Sequence, residues 1–265
     1  MRKMISVCMA TYNGEKFIQK QVQSILSQLN YIDELIIIDD ASMDNTVKLM
    51  KKFKDARVKI INNSRNMGSI FSFNKALSLA NGEYIFLADQ DDIWYQTKVI
   101  ISISQLEKEN LDLIIHDARV VDVNKGHIIS ESLFKLYKSS PGLIRNLISS
   151  RHTGCCMVLR NSALKKLLPI PTPLNEKGLV ADLFTIKGIQ HDAWLGVLSS
   201  IYGLKKKFVN IPLIDYQRHN DNESPLKRRR HFFSALIDRI ILVFFLFLRV
   251  VSGGYKYINW YHESK

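Results

Sequence analysis

Asp89-Gln90-Asp91-Asp92 sets three carboxylates in four positions, directly after the apolar run Tyr84–Ala88. Like charges this close repel, and a divalent cation is the simple remedy. Mg2+ or Mn2+ prefers oxygen ligands, and Mg2+ is commonly held by one or two carboxylates together with substrate phosphates. Standing alone, the run also describes a solvated turn that caps the next helix; behind a buried strand, the ligand reading is the stronger. A second acidic group, Asp39-Asp40, closes the apolar run Glu34–Ile38, where a carboxylate can accept hydrogen bonds from a base or ribose. Asp44 reads as a helix N-cap, since its carboxylate can satisfy free backbone N–H groups. A third polar group, Thr11-Tyr12-Asn13, follows the apolar run Ile5–Ala10. No GxGxxG follows that run and no GxxxxGK[ST] occurs, so the dinucleotide fingerprint and the P-loop are both excluded.

These groups need elements that bring them together. Strand-like runs at Ile5–Ala10, Glu34–Ile38, Val58–Ile61, Tyr84–Ala88 and Leu111–His116 alternate with helical spacing at Glu15–Gln28, Asp44–Phe53, Ser69–Ala80 and Thr97–Lys108. Strand–helix repetition with uniformly apolar strands implies an α/β, mostly parallel sheet with helices on both faces. Such sheets bind ligands at the C-terminal ends of their strands. Three of those ends carry the polar groups, so one crevice can collect residues far apart in sequence. The rest is less regular. It holds a hairpin turning at Asn124-Lys125-Gly126, a strand at Gly154–Arg160, helices at Ser162–Leu168 and His191–Ser200, and one or two strands in Lys207–Gln217. Pro169, Pro171 and Pro173 mark a loop.

Taken in order, ISVCMATYN (Ile5–Asn13), ELIIIDDASMDNT (Glu34–Thr46), NSRNMG (Asn63–Gly68) and GEYIFLADQDDIW (Gly82–Trp94) resemble family 2 glycosyltransferases of the GT-A fold. The DQDDIW form resembles the rhamnosyltransferase-like branch that builds bacterial surface polysaccharides. The resemblance covers roughly the first hundred residues and implies roles position by position. Thr11, Tyr12 and Asp39 would hold the nucleoside, and Arg65 would lie near the base or phosphates. Asp89 and Asp91 match the DxD pair, with Asp89 nearer the ribose and Asp91 on a Mn2+ or Mg2+ ion. Asp92 would support the metal or contact the sugar. Asn74 and Lys75 read as readily as a packing face.

Beyond that stretch, His191-Asp192-Ala193-Trp194 resembles the family's acidic acceptor-site motif, which makes Asp192 the candidate general base of an inverting transfer. Helix capping is the other reading of Asp192; Trp194 either stacks on a sugar or fills the core. Arg151-His152-Thr153-Gly154-Cys155-Cys156 resembles the strand entry before the acceptor site. Tyr216-Gln217-Arg218-His219 resembles a YRQH ending with Gln and Arg exchanged, and it carries His219 either as a candidate ligand of metal or diphosphate or as a structural histidine. The expected organisation is a donor half at 1–117, an acceptor half at 118–225 and a basic, apolar helical tail at 226–265.

The chain has 265 residues and a net charge of +12, which points to an anionic partner. Lys227–Arg230 adjoin the apolar run Ile240–Leu248, and basic charge beside apolar bulk favours a membrane surface over nucleic acid. That run is too short to span a bilayer, so the tail is expected to lie in the interface, with Trp260 at the lipid boundary. Packing on the catalytic domain or on a second copy, giving a homo-oligomer, is the alternative. Ile5–Ala10 is too short and polar for a secretion-signal core, and Cys8, Cys155 and Cys156 lack metal spacing. The three read as reduced, buried thiols, which places the protein in the cytoplasm, peripheral at the inner face of the cell membrane. The expected partners are a nucleoside-diphosphate sugar (dTDP-rhamnose or a UDP-hexose) and a glycan or lipid-linked acceptor. Two other readings compete: a nucleotidyltransferase, which lacks its glycine- and Lys/Arg-rich loop here, and a non-catalytic scaffold on the same fold.

Overall fold

The computed structural model describes residues 3–148, 152–171, 190–220, 222 and 232–251. Arg151, Pro173, Lys227–Arg230 and Trp260 lie outside the described residues.

Five strands alternate with helices through the first half: β1 (Ile5–Thr11), α1 (Ile18–Leu26), β2 (Glu34–Asp39), α2 (Thr46–Met50), β3 (Val58–Asn62), α3 (Ser69–Ser78), β4 (Tyr84–Ala88), the two-residue β5 (Ile93–Trp94) and α4 (Lys98–Lys108). Every position of β2 and β4, and all but one of β1, is buried, as expected of strands covered on both faces. The second half adds β6 (Leu113–Asp122), β7 (His127–Ser130), α5 (Leu133–Tyr137), α6 (Leu143–Ile148), a 3-10 turn at Gly154–Cys156, β8 (Met157–Arg160), α7 (Asn161–Leu167), α8 (His191–Ile201), β9 (Lys206–Arg218) and α9 (Phe232–Val251).

Among the described residues, nine strands join one sheet in the order β3-β2-β1-β4-β8-β6-β9-β5, with β7 on β6. The run β3-β2-β1-β4 is parallel, as expected. The remainder is mixed, which corrects the mostly parallel expectation. β8 is antiparallel to both β4 and β6, β6 is parallel to β9, and β9 is antiparallel to β5. The reversal follows from connectivity: a hairpin and two short helices follow β6, and the chain returns between β4 and β6 in the opposite sense. Lys207–Gln217 proves to be a single 13-residue strand, β9, whose register with β6 shifts near Asp117. It is tied to β5 where Arg119 and Tyr95 both donate to the Asp215 carboxylate, at 2.7 and 2.5 Å.

The core runs through both halves, from Ile5, Ile37 and Phe86 to Leu113, Val158 and Leu195. All three cysteines are buried free thiols, as expected. Trp194 is buried and donates its indole N–H to the Leu167 carbonyl at 2.9 Å, so it fills the core rather than meeting a sugar. Asn74 exchanges hydrogen bonds with the backbone of Ile170 at 3.2 and 3.3 Å, which settles it as a packing residue.

Helix α9 is two-faced. Leu242, Leu246 and Arg249 are buried on one side, where the Arg249 guanidinium donates to the Leu168 and Lys166 carbonyls at the end of α7. Ile240, Val243, Phe244, Phe247, Val250 and Val251 are exposed, at the spacing of a single helical stripe. No helix among the described residues is long and apolar enough to cross a membrane. Packing on the domain and an exposed apolar face, set against each other in the sequence reading, coexist on one helix.

Candidate active site

The C-terminal ends of β1, β2 and β4 converge because the strands are adjacent and parallel: Thr11 pairs with Asp39, and Met9 with Ala88. Asp39 is buried and accepts from the Ser42 hydroxyl at 2.6 Å and the Ser42 N–H at 2.9 Å. Asp40 takes a structural part. Its carboxylate accepts from the Asn63 amide, the Met67 N–H and the Gly68 N–H at 2.7–2.8 Å, and so holds the 63–68 loop. Gly68 has φ +88, a conformation open to glycine, which lets the loop turn into α3. Arg65 rides on this loop, exposed, with Nε 3.3 Å from the Met67 sulfur. Lys75 donates to Asn63 Oδ1 at 3.0 Å and braces the same loop. Asp44 is not the N-cap of α2, a position that Asn45 takes; one residue earlier, its carboxylate accepts from the Thr46 N–H at 2.9 Å and from the Glu15 N–H at 3.0 Å, which ties the loop after β2 to the loop after β1.

Asp91 and His219 meet although 128 positions separate them, with Nε2 2.8 Å from Oδ2. The end of β9 brings them together. The Asn222 amide nitrogen lies 2.9 Å from the same Asp91 oxygen and 3.1 Å from His219 Nε2. Phe17, at the entry to α1, stacks on the His219 ring with centroids 4.1 Å apart. Octahedral Mg2+ holds its ligands at about 2.0–2.1 Å, so neighbouring ligand atoms stand about 3 Å apart. An Asp91 oxygen and a His219 nitrogen at 2.8 Å therefore fit as adjacent ligands of one divalent ion.

Asp89, Asp92 and Cys155 form a second cluster, with one ligand atom from each within 4.8 Å of the others. Its character differs. Asp92 is wholly buried; one carboxylate oxygen accepts from the Gln217 N–H at 3.2 Å, and the Cys155 thiol interacts with the carboxyl. Burial, then the charges of Asp91 and Asp89, push its carboxyl well above the usual carboxylate range. Burial likewise pushes the Cys155 thiol up. A bound cation would reverse both shifts, so this cluster and the Asp91–His219 pair both stand as candidate sites for a divalent ion. Burial also removes Asp92 from sugar contact. Behind this cluster, the Lys98 ammonium donates to the Cys155 carbonyl at 2.8 Å and sits 3.9 Å from the Trp94 ring centre; burial lowers its pKa to about 8.

Two glutamines not singled out in the sequence organise the acidic turn. Gln21, buried on α1, donates to the Asp89 carbonyl at 2.7 Å. Gln90 accepts from the Thr11 hydroxyl at 2.6 Å and the Tyr12 N–H at 2.9 Å, and returns a hydrogen bond to the Tyr12 carbonyl at 3.1 Å. Gln21 left a signal: it is a polar residue on the face shared by Ile18, Val22 and Ile25.

Asp192 lies in the first turn of α8, with Gln190 rather than Asp192 at the N-cap. Its carboxylate accepts from the adjacent Ala193 N–H at 2.6 Å, and it does not occupy the cap position, so the capping alternative loses ground. The start of α8 is docked closely: His191 stacks on Phe73 at 4.0 Å, and a Cβ on Gly154 would come within 2.2 Å of its ring. Gly154 directly precedes Cys155, so the first turn of α8 stands against the wall that carries the acidic cluster. Arg218 is buried with its guanidinium 3.5 Å from the Tyr216 hydroxyl.

A mixed α/β sheet with carboxylates gathered at parallel strand ends defines a GT-A-like fold. It superposes on Staphylococcus aureus TarS (residues 1–349, solved with UDP-GlcNAc) with a TM-score of 0.66, at 17% identity over 91% of this chain and 66% of that one. The model of the family described as "Glycosyl transferase family 2" matches residues 6–168, and the chain belongs to that family. Among curated relatives, the Escherichia coli UDP-Glc:alpha-D-GlcNAc-diphosphoundecaprenol beta-1,3-glucosyltransferase WfgD is 33% identical over 46% of this chain and 48% of its own length. The chain thus matches about half of that relative. The Shigella flexneri dTDP-rhamnosyl transferase RfbG is 25% identical over 81% of this chain and 73% of its own.

Proposed function

We propose that this chain is an inverting, metal-dependent glycosyltransferase. It moves a sugar from a uridine or deoxythymidine diphosphate donor to a hydroxyl of a lipid-linked glycan in bacterial surface-polysaccharide synthesis. The observation that carries the proposal is the meeting of Asp91 with His219 beside the strand ends that bear Thr11 and Asp39. Relatives named for UDP-glucose and dTDP-rhamnose support a pyrimidine donor. In this reading Thr11, Tyr12 and Asp39 hold the nucleoside, Arg65 and Asp89 approach the phosphates and ribose, and residues 118–225 receive the acceptor.

Asp91 and His219 would hold Mn2+ or Mg2+, which when bound offsets charge on the leaving diphosphate. Asp192 takes the proton from the acceptor hydroxyl. The freed oxygen forms a bond to the anomeric carbon from the face opposite the phosphate, and the bond from that carbon to the phosphate oxygen breaks. One displacement inverts the anomeric centre without a covalent enzyme intermediate. Holding donor and acceptor in line supplies much of the rate.

Thermal unfolding with UDP, dTDP, GDP or CDP, each with Mn2+ or EDTA, tests the donor site. A ligand at a hundred times its Kd stabilises the native state by roughly 2.7 kcal/mol, which raises Tm by several degrees. The expected result is a rise with UDP or dTDP that EDTA removes. A rise that survives EDTA takes the metal out of the site, and no rise with any nucleotide favours a scaffold without catalysis.

We also propose that the exposed α9 stripe rests on the cytoplasmic face of an anionic membrane, where a lipid-linked acceptor is presented. The preceding basic residues Lys227–Arg230 supply the matching charge. Phe244→Glu with Phe247→Glu should abolish co-sedimentation with phosphatidylglycerol vesicles and leave Tm within a few degrees. Retained sedimentation rejects this surface. A dimer in the parent chain that the pair dissociates would assign it to a second copy instead.

A further inference from the structure

Gln90 is the residue between the two DxD carboxylates, and its side chain turns away from them onto the end of β1. The Thr11 hydroxyl and the Tyr12 N–H both donate to its Oε1, at 2.6 and 2.9 Å, and its Nε2 donates to the Tyr12 carbonyl at 3.1 Å. A primary amide offers an acceptor and a donor on one carbon, so it meets the N–H and the carbonyl of Tyr12 at once, and those partners fix which way the amide points. Gly14 leaves room for it: a Cβ there would stand 2.4 Å from Gln90 Oε1 and 3.3 Å from the Thr11 hydroxyl. Tyr12 is 42% exposed, while its backbone N–H and carbonyl are both held by Gln90.

We infer that Gln90 is a positioning residue: it holds the nucleoside-binding loop Thr11-Tyr12 in register with the metal-binding turn, so that recognition of the base and grip on the diphosphate act together. The inference rests on the donor-site reading above and assigns Gln90 and Gly14 a part in it. Loss of the amide frees Tyr12 and weakens nucleotide binding without unfolding the sheet. Gly14→Ala acts on the same contact, since its methyl group displaces the Gln90 carbonyl.

The test is a double-mutant cycle on the full chain, with the Kd of UDP and of dTDP measured by calorimetry in Mn2+ and Tm recorded for each variant. Gln90→Ala should raise Kd roughly tenfold, the loss expected for hydrogen bonds of this kind. Gly14→Ala should raise it similarly, and adding Gly14→Ala to Gln90→Ala should change little more. In turnover assays the loss should fall on donor KM more than on kcat. Additive effects, or a fall in Tm with Kd unmoved, overturn the inference and leave Gln90 a structural residue. Tyr12→Ala separates the two levels: if it weakens binding while Gln90→Ala does not, the coupling fails alone. If neither moves Kd, the donor-site reading falls and takes the coupling with it.

Discussion

Asp192→Asn should lower kcat by roughly 100- to 10,000-fold, the range that a positioned general base contributes, while leaving the Kd for donor nucleotide unchanged. The substitution keeps an oxygen that can accept the Ala193 N–H now bound at 2.6 Å, so the first turn of α8 keeps its local hydrogen bond. It removes a negative charge near a helix N-terminus, an effect of about 0.3–1 kcal/mol on stability, too little to unfold the domain. His191 remains stacked on Phe73 and seated on Gly154, so the helix start stays docked. Single-turnover rates with nucleotide titrations would check this. Full turnover in the variant assigns the base elsewhere; loss of nucleotide binding would place Asp192 on the donor instead.

The second large effect concerns the metal pair. Asp91→Ala and His219→Ala should each reduce kcat/KM by roughly a thousandfold or more, since each would remove a ligand of the charge that stabilises the leaving diphosphate. Together they should do little more than either alone, because the two act as one unit. Their contact supports this: Nε2 and Oδ2 lie 2.8 Å apart, and Asn222 touches both. Asp91→Asn is the sharper probe. It preserves size and can still meet His219, but offers a weaker ligand, so Mn2+ binding in the presence of UDP should fall while Tm holds. Two variants that retain Mn2+-dependent turnover would remove the ion from this pair. Additive losses would give the two side chains separate tasks.

The N-terminal half of the sheet was legible because its strands are short, largely apolar runs stopped by polar residues. Thr11, Asp39 and Asp89 stand where each run ends, and parallel pairing brings the first two level. The rest depends on tertiary choices that no local pattern encodes. The four residues of β8 read as a strand, but its antiparallel insertion between β4 and β6 is set by the path of the chain around it. Gln90 stands between acidic residues with no local pattern that gives it a role; only the neighbouring strand end reveals what it touches. Trp194 was ambiguous until the Leu167 carbonyl supplied the partner that its indole needs. Asp92 resembled its acidic neighbours, yet the fold buries it, and burial pushes its carboxyl above the usual carboxylate range.

The return of β9 to the acidic turn bears on how such chains can be recombined. His219 and Asn222 lie beyond the matched residues 6–168, yet they close around Asp91, inside them. The seam in the sequence is therefore not a seam in space. If Asp91 and His219 hold the ion as proposed, a chimera that keeps this chain to residue 168 and borrows a new remainder would also replace half of that grip. Swaps meant to change only the acceptor would then carry donor affinity with them, unless the incoming strand ends in an equivalent histidine at the same register.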